Sequence, residues 1–412
     1  MVRLTGSTPG ISNFGATRSM RFELSAAACQ CPTAQRERSL MHSVTETIPL
    51  LPSSIGTQRH LTVHRFGNAK QGPKIYLQGG LHADEAPGMV VLSHLVKLLE
   101  AREGEPSGEI VVVPCANPIG LSQRMQGHHA GRSDLGLGGN FNRSFPNLNP
   151  IVGEQLARLQ REGRIGDESS VKLALREAAT TLVARDELES MKQTLLKLAV
   201  DADFVLDAHC ADEAVVYAYV SNPEHPAANL LSRCIGSVAT IGGIPESLDF
   251  PAACLLPWRA AKHFLPDVSV TEALTATLEY RGTRGLRDDV AMDDARGLIR
   301  FMEAVNILTP NGTPQPQSQI ETCHTTLNCV DYVRASAPGV VIFSKGPGVQ
   351  VYPGEEVAQI LDPASGDRHS LKARGSGIIF GHLYSQVVVP GSTVAWIACN
   401  SPLEQEPGDP YP

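Results

Sequence analysis

The chemistry in this chain starts at His82 and Glu85. They stand three residues apart in YLQGGLHADEAPGM, after an apolar run that ends in two glycines. Glu85 can turn back onto the same point as His82, and together they offer a nitrogen and a carboxylate to a metal ion. A hydrolytic zinc needs a third protein ligand and one open position. His209, closing the apolar run in DFVLDAHC, is the best candidate, and Asp207 two residues earlier can accept from its other ring nitrogen. A zinc held by two histidines and a glutamate lowers the pKa of its water to about 7 and polarises a carbonyl. Glu279 lies near the end of the otherwise apolar TLEYRG, where an acid is costly unless paired or used. A carboxylate beside an activated water can carry its proton to a leaving amine. Asn142 and Arg143, in NFNRSFP, offer a handle for a substrate, because a guanidinium grips a carboxylate with two parallel hydrogen bonds. Arg132 and Arg124 lie just before and can polarise a scissile carbonyl.

Each piece also has a structural reading. A histidine at a strand end is commonly a satisfied polar residue, His-x-x-Glu alone is a weak signal, and Asn-Arg before Phe-Pro can be a corner. His128 and His129 sit in a Gly-rich stretch and read as solvated; Met125 and the Leu/Met positions at 189–197 read as core. Cys29 and Cys31 form a lone C-x-C with little claim to a metal.

The elements that must hold these residues are legible from periodicity. HLTVHRFG (60–67) alternates like a strand; KIYLQGG (74–80), EIVVVPCANPIG (109–120), ADFVLDAH (202–209), AVVYAYVS (214–221) and LTATLEYRG (274–282) read as further strands, most of them buried. Residues 88–104, 152–163 and 169–201 read as helices, and 121–139 as a long Gly-rich loop. Strands alternating with helices predict an α/β sheet. A Pro/Gln stretch at 312–319 reads as a linker. Beyond it, short strands punctuated by Gly and Pro predict a small β-barrel or sandwich. The expected organisation is an N-terminal extension over 1–40, an α/β domain over 41–310 with a helical insertion at about 152–201, and a β-rich domain over 311–412.

Composition narrows the function. A net charge of −8 over 412 residues argues against nucleic acid, and no stretch approaches the roughly 20 apolar residues of a membrane span. Nine scattered cysteines suit a reduced, cytoplasmic protein. The first forty residues lack the apolar segment of a secretory signal. They read as an over-long start before Met41, with a transit peptide as the alternative.

The motif order H-A-D-E, N-P-I-G, N-F-N-R-S-F-P, D-A-H, T-L-E-Y-R-G resembles the succinylglutamate desuccinylase/aspartoacylase family of zinc carboxypeptidase-like (M14) hydrolases. The resemblance runs from about Pro73 to Gly282, and the β-rich tail is similar to the C-terminal domain of such proteins. It implies a carboxypeptidase-like mixed sheet flanked by helices, one zinc per chain on His82, Glu85 and His209, Glu279 as general base, and Asn142 with Arg143 as carboxylate binders. It also implies removal of an acyl group from an N-acyl amino acid or similar small acid. Three departures stand out. Asn140 takes the place of the family's usual Asp in Asp-Leu-Asn-Arg. The 121–139 loop is longer than usual, leaving Arg132 as first and Arg124 as second choice for polarising the carbonyl. The 152–201 segment is an insertion, expected to roof the pocket or make a subunit contact.

The competing readings are a metallocarboxypeptidase, which uses the same ligands, and a non-catalytic binding protein. The tail's PGEEV and PGSTV echo the half-motifs of biotinyl/lipoyl barrels. However, Lys345 in Ser-Lys-Gly lacks a carrier lysine's setting, so the tail reads as structural. Dimers being the commonest oligomers, a homodimer is the default expectation.

Overall fold

A computed structural model of the chain describes residues 40–68, 72–244, 248–311 and 321–404. The N-terminal extension, with Cys29 and Cys31, and the 312–319 linker lie outside the described residues.

The first strands are β1 (Ser43–Pro49), β2 (His60–Gly67) and β3 (Lys74–Gly79). Helix α1 (Ala86–Glu100), strand β4 (Glu109–Val113) and the short helix α2 (Pro118–Ser122) follow. The stretch expected to be one Gly-rich loop begins inside α2 and then forms a two-residue hairpin, β5 (Arg124–Met125) with β6 (His128–His129). Both histidines are exposed there. Met125, expected in the core, is 53% exposed, because a two-residue hairpin has no second layer to bury it.

Helices α3 (Asn149–Arg161), α4 (Glu168–Thr180) and α5 (Glu187–Ala199) form the insertion. The single helix expected over 169–201 is two. Asp186 interrupts it, its side chain accepting from Glu189 N and capping a fresh helix. Then come β7 (Phe204–Ala211), β8 (Glu213–Ala214), β9 (Val216–Val220), α6 (Ala228–Ile235), β10 (Ala239–Gly242), α7 (Phe250–Phe264), β11 (Leu274–Gly282), α8 (Asp288–Ala304) and β12 (Cys323–Thr326).

Nine of these strands make one mixed sheet in the order β1-β2-β4-β3-β7-β11-β9-β10-β12. Its central strands are buried on both faces, which is why they read as continuous apolar runs rather than alternating ones. On one face, Ile75, Leu77, Leu206, Ala208, Leu274, Ala276 and Leu278 pack against α1, α6 and α8. On the other, Tyr76 and Val205 join a core built from α3, α4, α5 and α7, which includes Phe250.

The tail contributes β13 (Val330–Arg334), β14 (Gly339–Phe343), β15 (Gln350–Val351), β16 (Glu356–Leu361), β17 (Arg368–Lys372), β18 (Gly377–His382), β19 (Val387–Val388) and β20 (Thr393–Cys399). They form two antiparallel sheets, β13-β20-β18-β15 and β17-β16-β14-β19, around a separate apolar core that includes Val341, Ile360, Ile379 and Ile397. The tail is sewn to the α/β part twice: β8, from the link between β7 and β9, pairs with β18, and β12 pairs with β10 of the main sheet. A further apolar cluster joins Tyr217 and Ile241 of the main sheet to Tyr332, Phe380 and Ala398 of the tail. The helices therefore cover one part of this sheet face and the tail covers another, and a cavity is left between them.

Candidate active site

The side chains that open onto this cavity come from strand ends and the loops after them. Alternation along β7 puts Val205, Asp207 and His209 on the same face as Tyr76 and Gln78 of β3. Across the sheet, Glu279 of β11 lies in register with His209 of β7 on one side and with Tyr217 of β9 on the other. One row further back, Thr277 stands between Asp207 and Tyr219. His209, Glu279, Tyr217, Thr277 and Tyr219 of these two rows form the floor of the cavity, with Asp207 buried beneath His209.

The turn after β3 brings His82 and Glu85 to the same place. Glu85 is the residue before helix α1, and α1 lies against β7 at Gly88, where a Cβ would stand 2.5 Å from the Ala208 carbonyl oxygen. Glycine permits this approach and draws Glu85 onto His209. Gly131 does the same for the long loop. A Cβ there would meet the backbone N of Asp84 at 2.2 Å, and Ala83 N donates to Gly131 O at 2.9 Å. The next residue, Arg132, is thereby held beside Glu85.

The ligand-type atoms of His82, Glu85 and His209 lie within 4.8 Å of one another, and all three residues are buried. Glu85 is the hub. Its Oε1 is 3.0 Å from His82 Nδ1 and accepts from Arg132 Nη1 at 2.9 Å; its Oε2 is 2.8 Å from His209 Nδ1 and accepts from Cys210 N at 3.1 Å. The outer nitrogens are also engaged. His209 Nε2 is 2.9 Å from Asp207 Oδ2, and His82 Nε2 is 2.8 Å from Asn140 Oδ1. Asp207 is itself fixed by Gln78 Nε2 at 3.0 Å. A carboxylate or amide oxygen only accepts, so each Nε2 carries a proton. Metal ligation needs neutral rings, and in that state both Nδ1 lone pairs face the Glu85 carboxylate. A cation placed between them would meet two ring nitrogens and a carboxylate, and this donor set with its hydrogen-bonded outer partners fits zinc.

With no metal between them, the same groups hold one another by charge. Burial opposes the charged form of His209, but Asp207 and Glu85 outweigh it and lift the imidazole well above the usual histidine value. Burial also works against ionised Glu85, yet the charge and hydrogen bonds of His209 and His82 hold its carboxyl well below the ordinary range. Glu279 is the opposite case. Burial, then repulsion from Glu85, pushes it up to about 8, against the pull of His209 and Arg132. Its Oε2 is shut off from solvent with no hydrogen-bond partner. The Cys210 thiol is pushed up by burial and by the carboxylates around it, which makes it a poor nucleophile at neutral pH.

Asn142 and Arg143 reach the cavity through a corner. Phe141 and Phe145 are buried on either side, and Ser144 takes a left-handed φ of +56° to turn the chain between them. Asn142 Oδ1 accepts from Phe250 N at 2.9 Å, and its Nδ2 is 3.4 Å from His209 Nε2. Arg143 Nη1 donates to Asn142 O at 2.7 Å. Lys192 of α5 donates to Arg143 O at 2.6 Å and lies over the Phe145 ring. Asp249, the N-cap of α7, stands near Arg143; burial pushes its carboxyl to about 6, against the cap bond from Ala252 N and the Arg143 charge.

The cavity measures about 470 Å³ and is lined by His82, Glu85, Arg132, Asn142, Arg143, His209 and Glu279 among others. Arg124 is not among its lining residues; its Nη1 donates to the Leu121 and Gln123 carbonyls. None of the lining side chains comes from α3, α4 or α5. The insertion therefore does not roof the cavity; through Lys192 it buttresses the corner that carries Arg143. Lys345 of the tail pairs with Glu355 at 2.5 Å, away from the cavity. Sequence reasoning missed Asn140, Tyr217, Asp249, Lys192 and Trp396 as neighbours of the site. Only Asn140 had left a signal, as the amide standing where an acid is usual.

The comparisons with known proteins point the same way. The model of the succinylglutamate desuccinylase/aspartoacylase catalytic domain matches residues 71–162. A succinylglutamate desuccinylase/aspartoacylase family protein from Shewanella amazonensis is 21% identical, covers 87% of this chain and 99% of its own, and superposes with a TM-score of 0.75. Its counterpart from Shewanella frigidimarina is 19% identical, covering 88% and 98%, with a TM-score of 0.75. The ectoine utilization protein EutE (DoeB) from Ruegeria pomeroyi is 16% identical, covering 88% and 96%, with a TM-score of 0.62. No curated protein sequence matches the chain significantly. The chain is thus similar to this family in sequence over residues 71–162 and in fold over most of its length. No helix among the described residues is long and apolar enough to cross a membrane.

Proposed function

We propose that this protein is a zinc-dependent amidohydrolase that removes the acyl group from an N-acyl amino acid or a similar small amide bearing a carboxylate. The observation that carries the reading is Glu279, whose buried Oε2 has no hydrogen-bond partner and which lines the same cavity one strand away from the convergent His82–Glu85–His209 cluster.

Zinc held by those three residues would supply Lewis acidity and a water acidified to near neutral pH. Glu279, ionised beside the bound cation, accepts a proton as the water oxygen adds to the amide carbonyl carbon. It returns the proton to the nitrogen as the C–N bond breaks, so that the products are a carboxylic acid and an amine. Arg132, at the cavity edge and 58% exposed at its side chain, donates to the carbonyl oxygen as negative charge develops there. Arg143, held from behind by Lys192, binds the substrate carboxylate, and Asn142 sets the pitch of the corner between His209 and Phe250.

A metallocarboxypeptidase needs the same cluster, with the anchored carboxylate on the other side of the scissile amide. The test is amine release from N-acyl amino acids and from blocked peptides with a free C-terminus, at one equivalent of zinc, by wild type and Glu279→Gln. Release from acyl amino acids that depends on Glu279 supports the proposal. Release from peptides alone assigns the chain to the carboxypeptidases, and release from neither with zinc bound refutes the hydrolase.

A further inference from the structure

The cavity has two halves of different chemistry. The metal-side half holds the histidines, Glu85 and both of the arginines among the lining residues, Arg132 and Arg143. The other half lies toward β9, two strand spacings or about 10 Å from β7. Tyr217 and Tyr219 form its floor, edge to face with ring centroids 5.7 Å apart. Leu327, Leu383 and Trp396 of the tail form its wall. Tyr217 is backed by Phe380 of β18 at 4.7 Å, so the tail also fixes the floor. Asp212 also lines the cavity, and its Oδ2 accepts from Tyr384 N at 3.2 Å. Rings and leucines lining a concave surface mark a site for apolar matter. Among the described lining residues, an acyl group ending in a carboxylate finds no cation in this half, and desolvating such a group unpaired is costly.

We infer that the apolar half, Tyr217, Tyr219, Leu327, Leu383 and Trp396, selects substrates whose acyl group is a hydrocarbon chain or aryl ring, over acetyl or succinyl. The inference rests on the deacylase reading, which places the anchored carboxylate at Arg143 and the acyl group on the far side of the scissile bond.

The protein carries its own probe. Of its two tryptophans, Trp258 is fully buried, with Nε1 donating to Val200 O at 2.8 Å, so Trp396 is the one that an acyl group would touch. The experiment has two arms on the full-length zinc protein. The first titrates acetate, butanoate, hexanoate, benzoate and succinate and follows tryptophan fluorescence. The second measures kcat/KM for the matching N-acyl derivatives of glycine, aspartate and leucine.

Affinity and kcat/KM are expected to rise about fourfold per added methylene up to hexanoyl. Succinyl should fall below butanoyl, and Trp396→Phe should abolish the fluorescence change. In Trp396→Ala the hexanoyl-to-acetyl ratio of kcat/KM should collapse; Trp396→Phe, which keeps a ring, should retain most of it and shows that the fold survives. Hydrolysis with no dependence on chain length, or best with succinyl, overturns the inference and leaves the deacylase standing. A graded fluorescence response to the acids with no amide hydrolysed supports the apolar subsite and removes the deacylase. No fluorescence response and no chain-length trend in affinity refutes the subsite whatever the activity.

Discussion

Replacing Glu279 by Gln tests the proton carrier by two routes at once. The amide is nearly the same size and cannot accept a proton, so turnover should fall about 10²–10⁴-fold while zinc content stays at one equivalent. The second route is stability. Raising the carboxyl from 4.5 to about 8 corresponds to about 5 kcal/mol against its ionised form, at about 1.36 kcal/mol per tenfold change. Water entering the open end of the cavity makes this an upper figure. The native pKa lies above that of the unfolded chain. The metal-free protein therefore has the full benefit of a neutral Glu279 below about 4.5 and loses it progressively as pH rises through about 8. Glu279→Gln carries no such penalty. After chelation, the melting temperature of the variant relative to wild type should be near zero difference at pH 4.5 and favour the variant by several degrees at pH 9. The assays are amine release with the metal bound and thermal unfolding without it. Undiminished turnover would place the base elsewhere. A difference in melting temperature that stays flat from pH 4.5 to 9 would mean that the carboxyl is not held neutral, and the reasoning about its proton would fail.

Other outcomes separate the remaining roles. His82→Ala and His209→Ala should each lose the metal, read by elemental analysis; a full equivalent of zinc in either would remove that residue from the ligand set. Asp207→Asn should keep the fold and weaken zinc about 10–100-fold, the usual cost of disturbing a ligand's outer partner, and unchanged affinity by competition with a chelator dye would deny Asp207 that role. Arg132→Ala should lower kcat about 10²–10³-fold, whereas Arg124→Ala should leave it unchanged, since Arg124 holds only its neighbours' carbonyls; the reverse result would exchange the two arginines. Arg143→Lys should raise KM for carboxylate-bearing substrates through loss of a two-point grip, and an equal KM in the two proteins would take Arg143 out of the anchor role.

What could be read in advance was what period and residue type carry. The central strands announced themselves because burial on both faces leaves them mostly apolar. Asp207 and His209 are anomalous in FVLDAHC, and Glu279 is anomalous in TLEY, because an acid or an imidazole in such a run needs a partner or a task. The elements that were misread failed for local reasons. Asp186 restarts a helix within a run of good helix formers, and a two-residue hairpin is too short to have a period.

Residue type and near-neighbour spacing were enough to specify the α/β pattern, the β-rich tail and the motif order that groups His82, Glu85, His209 and Glu279. How far apart these groups lie, and what else joins them, was settled by tertiary packing. That Glu279 stands in register between His209 and Tyr217 depends on strand order, which no stretch of sequence encodes alone. That Arg132 and not Arg124 meets Glu85 depends on Gly131 pressing its loop against the Ala83–Asp84 backbone. That Trp396, more than 180 residues beyond His209, closes the same cavity depends on the tail packing onto the face that the helices leave bare. Contacts between segments distant in sequence are fixed by the packing of whole faces, and that information exists only once the chain has folded.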